Sequence, residues 1–189
     1  MQWRNDKERY GAVARLFHWG IAALILAQYP LGIYGARLPP GFEQLVVLAR
    51  HKSIGISVFV LAGLRLAWRR ADPPPPLPPG MRRWQRRAAG ASHALLYLLL
   101  FGLPVSGWLF SSASGVSVSW FGLVALPDLV APSRSLAHVL LRVHVAMAVL
   151  MGLVLVLHAG AALWHHFSRR DPVLVRMLPG RARNRSARR

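Results

Sequence analysis

The sequence predicts an all-α protein, an integral membrane four-helix bundle with both termini in the cytoplasm. Three observations predict it: 54% of the 189 residues are hydrophobic, long apolar segments recur along the chain, and 24 Lys+Arg stand against 6 Asp+Glu. A soluble domain this apolar could not cover its surface with polar groups, and disordered chains are poor in apolar residues. Both classes are therefore excluded.

Four apolar segments are each about 20 residues or longer, enough to cross a hydrocarbon core of about 30 Å as helices. None of them alternates as a strand would, and an open sheet cannot satisfy its backbone groups in lipid. We therefore predict helices at about residues 12–34, 45–68, 88–110 and 137–164. The shorter apolar stretch 121–132 contains glycine and proline and is predicted to be re-entrant or to lie at the surface.

The basic residues orient the bundle. With the N-terminus inside, the inner segments 1–15, 65–87 and 169–189 hold 19 of the 24 Lys+Arg, so the positive-inside rule predicts cytoplasmic termini. The basic segment 81–87 follows a polyproline stretch and is expected to lie at the lipid headgroups before the third helix begins. Residues 1–180 are predicted to form one membrane domain.

The last residues, 181–189, are predicted to be a basic disordered tail. For an arginine-rich tail that leaves a membrane helix, contact with anionic lipid or plain solvation is favoured over nucleic-acid binding. No nucleic-acid partner is expected.

The chemistry available to the chain is narrowed by its lack of cysteine. Disulfides, thiolate zinc sites, iron–sulfur clusters and the covalent attachment of c-type haem are excluded. The eight histidines remain as the candidate metal ligands, and an ionisable side chain inside a membrane helix is by default a functional hypothesis.

The histidines fall at two depths because successive helices run in opposite directions. His18, His93 and His158 lie near the inner ends of their helices, while His51 and His144 lie near the outer ends. The two on the fourth helix are 14 residues apart, which is about 40° around the helix and about 21 Å along it. The fourth helix thus presents one imidazole near each membrane face. Two stacked haems, each held by two neutral imidazoles, suit this arrangement.

Histidines in membrane helices also have roles other than haem ligation. A histidine at a helix end is often an interfacial polar residue, and we interpret His138 in that way. Zinc is disfavoured, because two histidines leave a tetrahedral site short of ligands and no acidic residue lies at the right depth. Small residues one turn after three of the histidines would leave room for a porphyrin face: Ala22, Gly55 and Ala148.

Haem propionates need cations or hydrogen-bond donors, and both layers have them. Arg50, Lys52 and Arg142 lie near the outer pair and Arg15 near the inner pair. Arg65, also near the inner pair, either contacts a propionate or extends to the headgroups. A small anionic electron donor would be attracted by the outer cations, which are Arg37, Arg50, Lys52, Arg134 and Arg142.

Five motifs follow one another along almost the whole chain: FHW at 17–19, HKSIG at 51–55, YLLLFGLPVSG at 97–107, LHAGAALWHHF at 157–167 and VLVRMLP at 173–179. In order and spacing they resemble the bacterial cytochrome b561 family. The resemblance implies a four-helix cytochrome of the bacterial inner membrane that binds two b-type haems and exchanges electrons with quinone. By matching motif positions, His18 and His158 would ligate the inner haem and His51 and His144 the outer one.

The inner layer has a third histidine. The family pattern also places a histidine at His93, which is either a competing ligand or a polar neighbour of haem or quinone. His165 is a candidate catalytic residue: it lies seven positions after His158, about two turns closer to the cytoplasm, where it could relay a proton to quinone. The alternative is that His165 and His166 are only an interfacial pair.

The predicted function is that of an oxidoreductase or electron carrier: electrons pass from a one-electron donor at the outer face, superoxide being one candidate, through two haems to quinone. The main alternative is a membrane anchor subunit that relays electrons for a soluble dehydrogenase or hydrogenase. A second alternative is a small transporter with histidines as proton relays, which would purify colourless.

Overall fold

Residues 2–78 and 80–178 are described by the structure, a computed structural model. Its four long helices are α1 Ala12–Arg37, α2 Phe42–Ala71, α3 Arg83–Ala113 and α4 Arg134–Trp164. Each is long and apolar enough to cross a membrane, which confirms the predicted four-helix membrane bundle. The predicted tail 181–189 lies outside the described residues.

The helices extend beyond the predicted apolar segments, because their polar ends continue the backbone hydrogen bonding past the hydrophobic core. The largest difference is at α3. The Gln85 side chain accepts a hydrogen bond from the Arg82 backbone N–H at 2.9 Å, and the helix starts at Arg83. Most of the basic segment 81–87 is therefore the first part of α3, and the prediction that it precedes the helix was wrong.

A short hairpin follows α3, formed by β1 Ser119–Trp120 and the antiparallel β2 Val124–Ala125. Phe121 and Gly122 at its turn have φ of 51° and 74°. They are the central residues of a turn closed by the Leu123 N–H, which donates to the Trp120 carbonyl at 2.9 Å, within the three-residue connection 121–123. Positive φ at both central residues matches the twist of the strands. The segment predicted to be re-entrant or at the surface thus begins in an exposed hairpin.

The hairpin packs on α2 through two serines. Ser53 Oγ accepts the Phe121 backbone N–H at 2.9 Å, and Ser57 Oγ accepts the Trp120 indole N–H at 3.0 Å. Ser53 lies two residues after His51, so the hairpin covers the outer end of the bundle close to that histidine.

The hydrophobic core lies between the two histidine layers. Each helix contributes two buried residues: Ile21 and Ile25, Val58 and Ala62, Leu99 and Leu100, and Met151 and Val154. On α4 both core residues, Met151 and Val154, lie between His144 and His158, and Met151 is seven residues from each. The two layers are therefore separated by packed apolar side chains.

The inner end of the bundle is closed by three segments that are bonded to one another. The Asn5 side-chain amide donates to the carbonyls of Asp72 and Pro73 at 2.9 and 3.1 Å, and its oxygen accepts the Gly11 N–H at 2.8 Å. The Trp19 indole N–H donates to the Met177 carbonyl at 2.8 Å. We call residues 2–11, 71–78 and 171–178 the inner cap. Both ends of the described chain lie in it. That the inner cap faces the cytoplasm remains a prediction.

Replacing Asn5 by alanine removes three hydrogen bonds of the inner cap, two that join residues 2–11 to residues 71–78 and one within residues 2–11. At about 1 kcal/mol for each net bond, we expect Asn5→Ala to lower the melting temperature in detergent and to speed tryptic cleavage after Lys7. Glu8→Ala, an exposed change in the same segment, is the control. Equal cleavage rates in the two variants would contradict this account of the inner cap.

Candidate functional site

The outer histidine pair joins α2 to α4. The ring centroids of His51 and His144 are 6.3 Å apart. A metal ion held by one nitrogen of each ring at about 2 Å would place the centroids roughly 6 Å apart. Both rings are largely buried among the helices, and the spacing fits a bis-imidazole iron.

Each outer imidazole packs against a glycine of the neighbouring helix. A Cβ on Gly32 of α1 would lie 3.0 Å from His51 Cε1, and a Cβ on Gly107 of α3 would lie 3.1 Å from His144 Cε1. These distances are shorter than ordinary van der Waals contact, so a larger residue would displace the ring. The two glycines therefore determine how closely the outer imidazoles approach the helix backbones.

Ser106 determines the tautomer of His144. Its hydroxyl donates to the Leu103 carbonyl at 2.8 Å, so its oxygen is left to accept from His144 Nδ1 at 2.9 Å. A proton on Nδ1 leaves the lone pair of Nε2 free, which is the form that binds a metal. Such an outer-shell partner is the usual companion of a ligating histidine.

The inner layer holds three imidazoles from three helices. His158 of α4 is 6.2 Å from His18 of α1 and 5.4 Å from His93 of α3, measured between ring centroids. The pair His18–His158 has nearly the same separation as the outer pair. Helices α1 and α3 thus both bring a histidine close to His158. His18 and His93 are both placed to be the second inner ligand, as the sequence predicted.

Arg65 points into the bundle. Its guanidinium lies 3.1 Å from His18 Nδ1 and 5.8 Å from the centroid of the Tyr97 ring. Because a guanidinium only donates hydrogen bonds, His18 Nδ1 is the acceptor in this arrangement and the imidazole proton lies on Nε2. Arg65 must therefore release Nδ1, and the proton must leave Nε2, before His18 Nε2 can bind a metal. Of the two orientations considered for Arg65, the structure therefore has the inward one, beside the inner imidazoles.

The other predicted cations occupy different surroundings. Arg15 donates to the Leu178 carbonyl at 3.0 Å and so joins α1 to the inner cap. Lys52 is half-buried next to His51, whereas Arg50 and Arg142 are exposed on the outer part of their helices. His138 is exposed as well.

His165 is buried at the inner end of α4, where a five-residue π-helical turn, His165–Arg169, follows the helix. Its Nδ1 makes a short contact with the Asp171 carboxylate. The chain reverses at Arg170, which has φ of 53°, and this reversal brings Asp171 back to the imidazole. The pair has the form of a carboxylate-oriented histidine, the usual arrangement for moving a proton.

Sequence reasoning missed Gly32, Gly107, Ser106 and Asp171. The sequence prediction placed small residues one turn after three of the histidines, on the same helix. In the structure, Gly55 faces the Gln28 side chain, and the glycines that contact the imidazoles belong to neighbouring helices. The SG pair at the end of the third motif was a signal that could have identified Ser106 and Gly107.

A site for a bare metal ion is not formed by the described residues. Across 2–78 and 80–178, no three His, Asp or Glu side chains make a group that could hold one. The spacing of the histidine pairs suits a group that supplies the remaining donors itself, as a porphyrin does.

Comparison with known proteins supports this interpretation. The family model for prokaryotic cytochrome b561 matches residues 9–180. Cytochrome b561 homolog 2 of Escherichia coli (strain K12) is 35% identical, with 94% of this chain and 95% of the relative covered. Cytochrome b561 homolog 1 of the same strain is 29% identical, with 92% and 98% covered. A protein of Yersinia pestis named probable superoxide oxidase CybB is 28% identical, with 91% and 97% covered.

The match extends over all four helices and both histidine layers, and membership of a cytochrome family decides against the transporter interpretation. The chain belongs to the prokaryotic cytochrome b561 family, and it is a multi-pass haem b protein of the bacterial inner membrane that transfers electrons across the bilayer.

Proposed function

We propose that the protein binds two b-type haems and passes electrons from a one-electron donor at the outer face to quinone at the inner face. The observation that carries this proposal is the presence of two imidazole pairs, 6.3 and 6.2 Å apart between ring centroids, at opposite ends of one bundle. His51 with His144 is the proposed outer ligand set, and His18 with His158 the inner one.

The protein's contribution is orientation and burial. Each haem, when bound, supplies a one-electron iron couple. Ser106 keeps Nε2 of His144 unprotonated, and Gly32 and Gly107 allow the outer rings to sit close to the backbone. The apolar core between the two layers excludes water from the interior.

The proposed donor is a small anion. The outer cations Arg37, Arg50, Lys52, Arg134 and Arg142 give the outer face a positive potential, which accelerates the approach of an anion. One relative is named as a probable superoxide oxidase, which favours superoxide as the donor and a stand-alone oxidoreductase over an anchor subunit. Two superoxide ions would be oxidised to oxygen for each quinone that takes up two electrons and two protons.

The proposed proton carrier at the inner face is His165. An imidazole can accept a proton on one ring nitrogen and donate one from the other, and the Asp171 carboxylate orients this one. A proton held on Nε2 could pass to a reduced quinone, and the aspartate would stabilise the imidazolium between turnovers.

The first prediction concerns haem content. The dithionite-reduced minus oxidised spectrum of detergent-purified protein, with haem measured per chain, should show two b-type haems. His144→Ala should hold only the inner haem and His158→Ala only the outer one, whereas His93→Ala should keep both. If His93→Ala loses a haem and His18→Ala keeps both, then His93 and not His18 is the partner of His158 at the inner haem.

The second prediction concerns the glycine against His144. In Gly107→Ala the new methyl group must move the ring by a few tenths of an ångström, so we expect the outer haem to dissociate roughly tenfold faster, as for other changes just outside a metal's ligands. Gly63→Ala is the control, because a Cβ there meets nothing within 4 Å. Equal dissociation in both variants would refute the role given to Gly107.

The third prediction concerns proton delivery. His165→Gln should slow quinone reduction by roughly 100-fold, the lower end of what a positioned proton carrier contributes, and should leave both haem spectra unchanged. His166→Gln, one residue further along, should turn over normally. Unaltered quinone turnover in His165→Gln would remove the proposed relay.

A further inference from the structure

A small cavity at the inner end of the bundle is bordered by two buried hydrogen-bond donors. It lies between the inner cap and helices α2 and α3 and is lined by Asn5, Tyr10, Ala14, Arg65, Trp68, Arg69, Asp72, Pro74, Tyr97 and Met177. The Trp68 indole nitrogen and the Tyr97 hydroxyl are buried and, among the described residues 2–78 and 80–178, have no hydrogen-bond partner.

Buried polar groups are almost always paired, because an unpaired one costs about 1–3 kcal/mol. An indole N–H can only donate, and a tyrosine hydroxyl readily donates. Two such groups at one cavity indicate a ligand that presents acceptor oxygens to both.

The charge around the cavity favours an anionic ligand. The guanidiniums of Arg65 and Arg69 line it, and Arg65 lies between His18 and the Tyr97 ring. The single carboxylate in the lining, Asp72, accepts the Asn5 backbone N–H at 2.9 Å and faces Arg4 at 3.8 Å. Burial raises the pKa of Tyr10, so the phenol in the lining that precedes α1 stays neutral.

We propose that this cavity binds the propionate carboxylates of the inner haem, with Trp68 and Tyr97 donating hydrogen bonds to their oxygens and Arg65 balancing their charge. The inference rests on the proposed haem at the inner layer and adds two binding residues that the sequence did not identify. A quinone carbonyl would also accept from Trp68 and Tyr97, but it is neutral and would leave the half-buried Arg65 guanidinium without a counter-charge.

The test compares two haems in the complete protein. Apo-protein is reconstituted with protohaem IX or with its dimethyl ester, in which both carboxylates are blocked, and haem loss to excess apomyoglobin is followed. With protohaem, Tyr97→Phe should accelerate one of the two loss phases about tenfold, because a hydrogen bond to a charged group is lost. That phase should be the one that Gly107→Ala leaves unchanged. With the dimethyl ester, Tyr97→Phe and the parent protein should lose haem at the same rate.

Tyr29→Phe is the matched control. The change is chemically identical, but the Tyr29 hydroxyl already donates to the Ala148 carbonyl at 2.9 Å, on the outer half of α4. It should leave the phase sensitive to Tyr97 unchanged. Trp68→Phe should repeat the effect of Tyr97→Phe, and both should lower the midpoint potential of the same haem, since a less compensated carboxylate charge favours ferric iron.

Three results would overturn the proposal: equal acceleration of protohaem and ester in Tyr97→Phe, no acceleration of either, or a change confined to the quinone dissociation constant, which would assign the cavity to quinone. If Tyr97→Phe takes up no haem, the parent protein alone tests the proposal. There the inner site should lose the dimethyl ester faster than protohaem, and equal rates of loss would refute carboxylate binding. Fewer than two haems in the parent protein would instead refute the proposed function.

Discussion

The whole arrangement depends on helix α4, which supplies an imidazole to each end of the bundle. His144 and His158 are four turns apart, so they face the same interior, and the buried side chains of Met151 and Val154 fill the space between them. The remaining helices are placed accordingly: α2 brings His51 to one end, and α1 brings His18 to the other. A change in the length or register of α4 would separate both pairs at once.

The two ends surround their imidazoles in different ways. At the outer end a serine hydroxyl and two glycines orient and accommodate the rings, and the nearby cations lie at the edge of the bundle. At the inner end a guanidinium reaches His18 directly, and a third imidazole, His93, stands beside His158. If each pair binds a haem as proposed, the guanidinium beside His18 would raise the potential of the inner iron relative to the outer one.

The sequence was sufficient to predict the features that follow from spacing along one helix. The helix count, the two depths of histidine and the pairing of His51 with a residue on α4 all come from a rise of about 1.5 Å per residue and the thickness of a bilayer. Contacts between helices could not be obtained in this way. That Gly107 faces His144 depends on the rotation of α3 about its axis, and that Asp171 reaches His165 depends on a π-helical turn followed by a left-handed residue. Neither feature has a periodic signature.

The inner cap joins the ends of the chain to the inner layer. Met177 lines the cavity beside Tyr97, while its carbonyl accepts the indole N–H of Trp19, the residue next to His18. Asn5 lines the same cavity and holds the loop after α2. A displacement of either chain end would therefore expose Arg65 and the inner imidazoles to water. The hydrogen bonds of the cap thus shield the charged and polar groups of the inner site from water.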